Sequence, residues 1–268
     1  MHKQSLKKLE VIWSYRNFVM GRIAREFQTR YKNSVLGAAW AIFNPLAMIF
    51  VYTVIFSQIM QARIPGVNGK LGYSIYLCAG LLTWSLFSEI VSRSQNVFIE
   101  NAHLLKKIQF PKTCLLMVVI GSAILNFLII FLIFTTFLIL SGTFPGFAYF
   151  GIFPVLLILV VFASGLGLIL GLLNIFFRDV GHAFAILLQF WFWLTPIVYP
   201  LNALPPVYQS ILQLNPLTGI MSAFQNILTS NRWPEWNGLA VVSLLAVLLC
   251  VVGLNLLHRH AGDMMDEL

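Results

Sequence analysis

Long apolar runs separated by short polar stretches dominate this chain. Six runs are long enough to cross about 30 Å of hydrocarbon as helices, although the fifth only just reaches this length. These runs are Val35–Met60, Leu71–Val91, Thr113–Leu140, Phe150–Asn174, Gly181–Tyr199 and Leu239–Leu257. The pattern predicts an all-α, polytopic membrane protein with six transmembrane helices.

The amino-acid composition excludes several classes of protein. Of the 268 residues, 59% are hydrophobic and 10% are charged, whereas soluble domains carry roughly 25% charged residues. A soluble globular domain, a disordered chain and a secreted disulfide scaffold are therefore excluded. Cys78, Cys114 and Cys250 are far apart in apolar surroundings, which argues against a disulfide framework or a zinc site. Residues 1–34 are too charged for a signal peptide, so the first span is expected to act as the targeting signal.

The basic residues predict the orientation in the membrane. Of the 17 Lys and Arg residues, all but Arg63, Lys70 and Arg232 fall before the first run, between the second and third, between the fourth and fifth, or in the tail. Because cytoplasmic segments are enriched in Lys and Arg, both termini are expected in the cytoplasm. The net charge of +8 is then explained by the orientation of the chain in the membrane, so nucleic acid is not an expected partner.

Two polar segments on the predicted cytoplasmic side invite interpretation. Within residues 1–34, the spacing of Ile23, Phe27 and Tyr31 predicts a basic amphipathic helix in the membrane interface; a plain positive anchor remains the alternative. The loop Ser92–Lys112 predicts a short helix, ended by Pro111, with apolar and charged positions side by side. Such a helix suits a protein partner, or it simply lies on the membrane surface.

The stretch Pro200–Gly238 differs from an ordinary loop. It contains five prolines and only two charges, and its apolar pieces Val207–Leu214 and Leu217–Leu228 are too short to cross a bilayer. We expect short re-entrant helices on the extracytoplasmic side, between spans five and six, packed against protein. They act either as a lid on a pathway or as a passive cap.

No catalytic or metal-binding pattern is present in the sequence. It lacks a phosphate-binding G-x-x-x-x-G-K-[ST] loop, and its histidines are scattered. Ionisable residues in or beside the spans are few: Glu89 near the end of span two, and Arg178 and Asp179, which are expected to form an ion pair at the interface. Since ion-driven carriers need such groups near the membrane centre, that class is disfavoured. Gly167 and Gly171 predict a close-packing helix face.

Aromatic and amide residues share faces of two spans. Tyr52 follows Asn44 and Met48 at spacings of four in span one, and Trp193 follows Gln189 by four in span five. Such mixed faces are unfavourable toward lipid and suit a lumen, where rings stack on sugars and amides bond their hydroxyls. The alternative is packing within the helix bundle.

Several motifs resemble the membrane subunits of ABC-2 type polysaccharide exporters, which move O-antigen, capsule and teichoic acid chains. The resemblance covers nearly the whole chain, in the family's order. The matching pieces are Arg30–Gly37, Trp40, Asn44–Pro45, Asn174–Val180, Thr195–Tyr199 and Asn215–Pro216.

This resemblance implies two copies of the chain around a channel, with separate ATP-binding cassette subunits that hold ATP and Mg²⁺; no cofactor is expected in this chain. It implies an interface segment at 1–34, a six-helix domain at 35–268, gate helices in Pro200–Arg232, and Tyr52 and Trp193 in aromatic rings of the channel. The coupling helix that docks on the ATPase would contain Glu100, Asn101, His103, Leu104 and Lys106.

The expected function is export of a lipid-linked polysaccharide, O-antigen first, across the bacterial inner membrane. Membrane lipid and the glycan are the remaining partners. Capsule or teichoic acid export is the nearest alternative. A membrane-embedded transferase acting on lipid-linked glycans, with Asp179 or Glu89 as its acid, and a scaffolding protein stay open as other classes.

Overall fold

The computed structural model describes residues 15–31, 37–55, 71–107 and 111–267, and all regular structure in these ranges is helical. The α-helices are α1 (Arg16–Tyr31), α2 (Trp40–Tyr52), α3 (Gly72–Glu100), α4 (Ala102–Lys107), α5 (Thr113–Leu140), α6 (Ile152–Phe176), α7 (Asp179–Trp193), α8 (Pro206–Gln213), α9 (Pro216–Ser230), α10 (Trp236–Arg259) and α11 (Asp263–Glu267). Short 3₁₀ turns precede α2, α6 and α8.

Four helical stretches of the described residues are long and apolar enough to cross a membrane, which makes this a multi-pass membrane protein. They are Gly72–Glu100, Thr113–Leu140, Gly146–Phe176 and Trp236–Arg259. They correspond to the second, third, fourth and sixth predicted spans. The described part of the first predicted span forms α2, which continues in π-helical form to Ile55.

The fifth predicted span was placed too far toward the C-terminus. Helix α7 ends at Trp193 rather than Tyr199 and has 15 residues, which is about 22 Å of helix. Pro196 explains the early end, because its ring disfavours the helical conformation of Thr195 and it has no backbone N–H to donate.

The predicted loop Ser92–Lys112 was also wrong in its first half. Helix α3 continues to Glu100 because Val97 and Phe98 are buried, 3% and 0% exposed, and extend its apolar face beyond the continuous apolar run. The helix breaks at Asn101, and α4 follows as the short helix that the sequence predicted. Glu100 therefore belongs to the last turn of α3 and not to α4.

Helix α6 lies at the centre of the bundle, packed closely against α3 and α10. A Cβ at Gly165 would come within 2.6 Å of the backbone nitrogen of Cys250 in α10. Cβ atoms at Gly167 and Gly171 would come within 2.6 Å of Ser94 in α3. The predicted close-packing face is confirmed, since only glycine permits these helix separations.

The stretch Pro200–Gly238 forms two short helices, as the sequence predicted. Helices α8 and α9 both begin with proline, whose fixed φ suits the first helical position. Helix α9 packs against α3 and buries Leu217, Phe224 and Ile227, whereas α8 has no buried residue. The two helices therefore differ in how firmly they are held.

Candidate transport and coupling site

Helix α7 has one packed side and one exposed side. Its buried residues are Phe184 and Leu188. Gln189 is exposed and Trp193, four residues later, is 61% exposed. The predicted pairing of an amide and an indole on one face is therefore present, and the described residues of the chain leave this face exposed.

Aromatic contacts fix the rotation of α7. The Trp191 ring lies 5.4 Å from the Phe87 ring of α3, edge to face, and the Phe192 ring lies 5.5 Å from that of Trp84, also edge to face. Such pairs contribute about 0.5–1.5 kcal/mol beyond area burial. Because these neighbouring residues face α3, Trp193 is turned away from it.

The candidate channel residues of span one lie on α2. Met48 is 47% exposed, whereas Tyr52 is partly buried against the core. The side chain of Asn44 lies outside the described residues. Helices α2 and α7 both pack on α3. That these three residues line a channel together with Gln189 and Trp193 stays a prediction.

The candidate coupling residues surround the break between α3 and α4. Glu100, His103 and Lys106 are exposed, and Leu104 is partly buried. Leu105, which is not among the predicted coupling residues, is 6% exposed and anchors α4 in a core cluster with Val97. Polar side chains at the end of α3 and on α4 are thus exposed, while Leu105 anchors α4 by an apolar contact.

Asn101 connects this break to α1. Its Nδ2 donates to the Val97 carbonyl at 2.8 Å, and its Oδ1 accepts from Arg22 Nη2 at 3.1 Å. The backbone carbonyl of Asn101 accepts from the N–H groups of Leu104 and Leu105 and so starts α4. Asn101 thus ties the candidate coupling region to α1.

An ionic junction that was not predicted from the sequence joins α1, α3 and α5; we call it the α1 junction. Arg93 lies 2.6 Å from Glu26 of α1 and 3.3 Å from Glu89 of its own helix. On α5, Asn126 donates to Glu89 at 3.0 Å and Ser122 to Glu26 at 2.9 Å. The i, i+4 spacing of Glu89 and Arg93 was a detectable signal, but the bond to Glu26 was not.

A cavity of about 450 Å³ opens beside the α1 junction. Its polar lining is Arg22, Glu26, Arg93, Glu100 and Asn101. The four charges among these residues cancel, two positive against two negative. Residues of the candidate coupling region and of α1 therefore line the same polar cavity.

The predicted ion pair of Arg178 and Asp179 is not formed in the described part of the chain. Both residues are exposed, and consecutive side chains at a helix start do not face each other. Instead the preceding Asn174, 3% exposed, holds the α6–α7 turn: its Oδ1 accepts from Gly181 N–H at 3.0 Å and its Nδ2 donates to the Gln95 carbonyl at 3.1 Å.

Comparison with known proteins gives relatives along nearly the whole length. The chain is 29% identical over 247 residues to the O-antigen export system permease protein RfbA of Myxococcus xanthus, covering 91% of this chain and 92% of that protein. It is 28% identical to RfbA of Klebsiella pneumoniae, covering 88% of each. It is 25% identical to the polysialic acid transport protein KpsM of Escherichia coli, covering 91% and 93%.

The family comparison covers most of the described helices. Residues 21–229 match the family described as ABC-2 type transporter. This range begins in α1 and ends in α9, so it includes the α1 junction, α4 and the exposed face of α7. Relatives that are permeases indicate a transporter subunit rather than a catalyst. The chain belongs to the ABC-2 type transporter family.

Proposed function

We propose that this chain is the membrane subunit of an ATP-driven exporter that moves a lipid-linked polysaccharide, O-antigen, across the bacterial inner membrane. The carrying observation is the similarity to O-antigen export permeases over 91% and 88% of the chain. Motifs in both halves of the sequence support the same function.

Two copies of the chain would form the channel. The exposed faces of α2 and α7 include Phe50 and Phe190, 68% and 66% exposed, beside Met48, Gln189 and Trp193. A second copy would cover part of these faces and leave Tyr52, Asn44 and the other channel candidates toward a shared lumen. Rings that stack on sugars and neutral amides that bond hydroxyls give weak contacts, along which a polymer can slip.

A separate ATP-binding cassette subunit would supply the energy, with ATP and Mg²⁺ bound on that subunit. Helix α4 and the end of α3 offer the docking surface, through Glu100, Asn101, His103, Leu104 and Lys106. Support comes from the exposed charges of Glu100, at the end of α3, and of Lys106, on the helix that Leu105 anchors. The neutral cavity behind it leads to α1.

The proposed topology has six crossings, with α2 and α7 as the first and fifth. Both termini then lie in the cytoplasm, residues 1–34 form the interface segment and residues 35–268 the transmembrane domain. Helix α7 is short for a crossing, so the irregular segment after it would share the bilayer depth. Helices α8 and α9 would be the re-entrant helices on the extracytoplasmic side.

Deleting the gene tests the function directly. Cells without this protein should keep lipid-linked O-antigen on the cytoplasmic face and lose it from the surface; a plasmid copy should restore surface display. Trp193→Ala should restore it poorly, whereas Trp236→Ala, at the start of α10 and 47% exposed, should restore it fully. Normal surface O-antigen in the deletion strain would refute the proposal.

The docking surface needs its own test. Glu100→Lys combined with Lys106→Glu keeps the net charge but reverses both signs, and should abolish co-purification of the ATP-binding subunit. The control reverses Glu235, an exposed residue before α10, and should retain the complex. Unchanged co-purification in the double variant would show that α4 is not the docking site.

Capsule export is the second candidate, because KpsM is similar over 91% of the chain. Expression in one host that lacks its O-antigen permease and another that lacks its capsule permease, each with the cognate ATP-binding subunit supplied, separates the two. Restored O-antigen alone supports the first candidate, and restored capsule alone supports the second.

A further inference from the structure

The irregular segment between α7 and α8 is held by side chains of α3 and α9. Tyr73 Oη donates to the Val198 carbonyl at 2.6 Å. Gln225 Nε2 donates to the Ile197 carbonyl at 3.2 Å. Carbonyls outside a helix have no i+4 partner, and in an apolar bundle each needs another donor. These side chains supply it.

Tyr76 serves two more carbonyls of the same segment. Its Oη lies 2.9 Å from the Pro196 oxygen and 3.0 Å from the Tyr199 oxygen. The tyrosine is 7% exposed and Gln225 is 1% exposed. The carbonyls of residues 196–199 thus accept from neutral side chains of α3 and α9.

Asn215 joins the start of α9 to the end of α7. Its Oδ1 accepts from Trp191 Nε1 at 3.0 Å and from the Leu217 N–H at 3.1 Å. Its Nδ2 donates to the Leu194 carbonyl at 3.2 Å and to Thr195 Oγ1 at 3.0 Å. Two acceptor and two donor positions are the full capacity of one amide, and no other short side chain offers them.

These bonds determine where Trp193 lies. The Thr195 hydroxyl donates to the Trp191 carbonyl at 2.8 Å, and the Tyr199 hydroxyl donates to the Trp193 carbonyl at 2.7 Å. The Trp193 ring contacts the Phe192 ring, with centroids 5.2 Å apart, but is 61% exposed. Its direction therefore depends mainly on the backbone of the last turn of α7, which Asn215 holds on both sides.

We propose that Asn215 is a positioning residue, whose amide fixes the end of α7 and so orients Trp193 toward the transport pathway. The orientation follows from the geometry of this chain; the pathway rests on the proposed function. Asn215 would act through Trp193 and need not touch the glycan itself. It also ties α9 to the same turn, so displacement of α9 would reach Trp193 through one side chain.

The test uses the full-length protein labelled with 5-fluorotryptophan and observed by fluorine NMR, with the Trp191 and Trp193 signals assigned from Trp191→Phe and Trp193→Phe. Asn215→Ser keeps a residue able to cap α9, but its side chain is too short to reach the Leu194 carbonyl. Asn226→Ser, exposed on the same helix, is the matched control.

We expect Asn215→Ser to shift or broaden the Trp193 signal while the Trp233 and Trp236 signals keep the wild-type positions; Asn226→Ser should change none of them. Surface glycan should fall several-fold in Asn215→Ser, with normal protein level and normal co-purification of the ATP-binding subunit. An unchanged Trp193 signal overturns the proposal.

The NMR and export measurements fail independently. If Asn215→Ser shifts the Trp193 signal but the wild-type protein itself restores no glycan export to the deletion strain, the positioning role is supported and the proposed function is refuted. If Asn215→Ser shifts all tryptophan signals together, a general loss of structure is indicated, and a positioning role is overturned. Asn215→Gln keeps the amide but lengthens the side chain. It should therefore shift the Trp193 signal as Asn215→Ser does.

Discussion

Two polar junctions hold peripheral parts of this molecule to α3. One is formed by charged side chains and the other by neutral ones. The α1 junction is ionic: it consists of Glu26, Arg93 and Glu89, whose own side chains are 32%, 27% and 16% exposed. The second, which we call the α7–α9 junction, consists of Tyr73, Tyr76, Gln225 and Asn215 with the backbone around residues 194–199. It contains no charged side chain, and Gln225 is 1% exposed.

The difference follows from what each junction must satisfy. Helix α1 makes its own backbone hydrogen bonds, so only side chains have to be matched, and partly hydrated charges suffice beside a cavity of about 450 Å³. The segment after α7 has irregular backbone among buried residues, where unpaired carbonyls are costly and charges costlier still. In that segment, neutral side chains donate hydrogen bonds to the backbone carbonyls. The comparison predicts a junction that opens readily at α1 and a rigid one at α7–α9.

The largest expected effect comes from Gly80, beneath the α7–α9 junction. A Cβ there would lie 2.6 Å from Gln225 Nε2 and 3.0 Å from the Ile197 carbonyl oxygen. Gly80→Ala should displace the Gln225 amide and destabilise the protein by about 2 kcal/mol, because a buried amide loses its partners. Thermal unfolding in detergent measures this.

The matched control for Gly80 is Gly219→Ala in α9, where an added Cβ meets no atom within 4 Å. Alanine there should be neutral or stabilising by up to about 1 kcal/mol, through helix propensity. Equal unfolding temperatures of the two variants would contradict the account of the α7–α9 junction.

The next effect concerns the shared cation of the α1 junction. Arg93→Gln leaves Glu26 and Glu89 without their counter-ion and should weaken α1 docking by about 1–2 kcal/mol, a range reduced for partial exposure. Hydrogen exchange should rise across α1 but not in α9. Arg178→Gln, at an exposed arginine, should change neither. Unaltered α1 exchange in Arg93→Gln would show that Arg93 does not hold α1.

A single donor of the α7–α9 junction should matter less. Tyr73→Phe removes the 2.6 Å bond to the Val198 carbonyl and should cost about 0.5–1 kcal/mol, since neighbouring donors still hold the segment. Tyr208→Phe, at a tyrosine 58% exposed, should have no effect on unfolding. If Tyr73→Phe unfolded as readily as Gly80→Ala, the bonds would not be shared among several donors.

Salt should produce the smallest effect and the clearest contrast. Raising the ionic strength to about 1 M shortens the Debye length to about 3 Å and screens exposed ion pairs. Exchange of α1 amides should then rise by about twofold, consistent with a few tenths of a kcal/mol. Exchange in residues 194–199 should not respond. A larger response there than in α1 would reverse the assignment of the two junctions.

Sequence reasoning recovered the long spans and gave the bounds of α5, Thr113–Leu140, correctly, but it ended the second span too early and the fifth too late. Runs of apolar residues identify α3, α5, α6 and α10, because lipid and protein core favour the same composition. The extension of α3 to Glu100 was missed because five polar residues, 92–96, separate Val97, Phe98 and Ile99 from the long apolar run of the second span. The end of α7 could have been read from Pro196.

The site was predicted less completely than the fold. Gln189 and Trp193 do share an exposed face, since spacing along one helix determines which residues lie together. The bonds of Arg93 to Glu26, 2.6 Å, and of Asn215 to Trp191, 3.0 Å, join separate helices. No periodicity within one helix reveals such pairs. Asn215 was noticed only as part of a motif.

The sequence by itself determined that the chain is a helical membrane protein of the exporter type, because apolar run length, charge asymmetry and local motifs are properties of continuous segments. Only the tertiary structure decided which polar residues meet. Hydrogen bonds and ion pairs act over about 3 Å, so they depend on how helices are packed, and that packing rests here on glycines that bring α6 against α3 and α10. The ionic junction at α1 and the neutral one at α7–α9 are products of that packing.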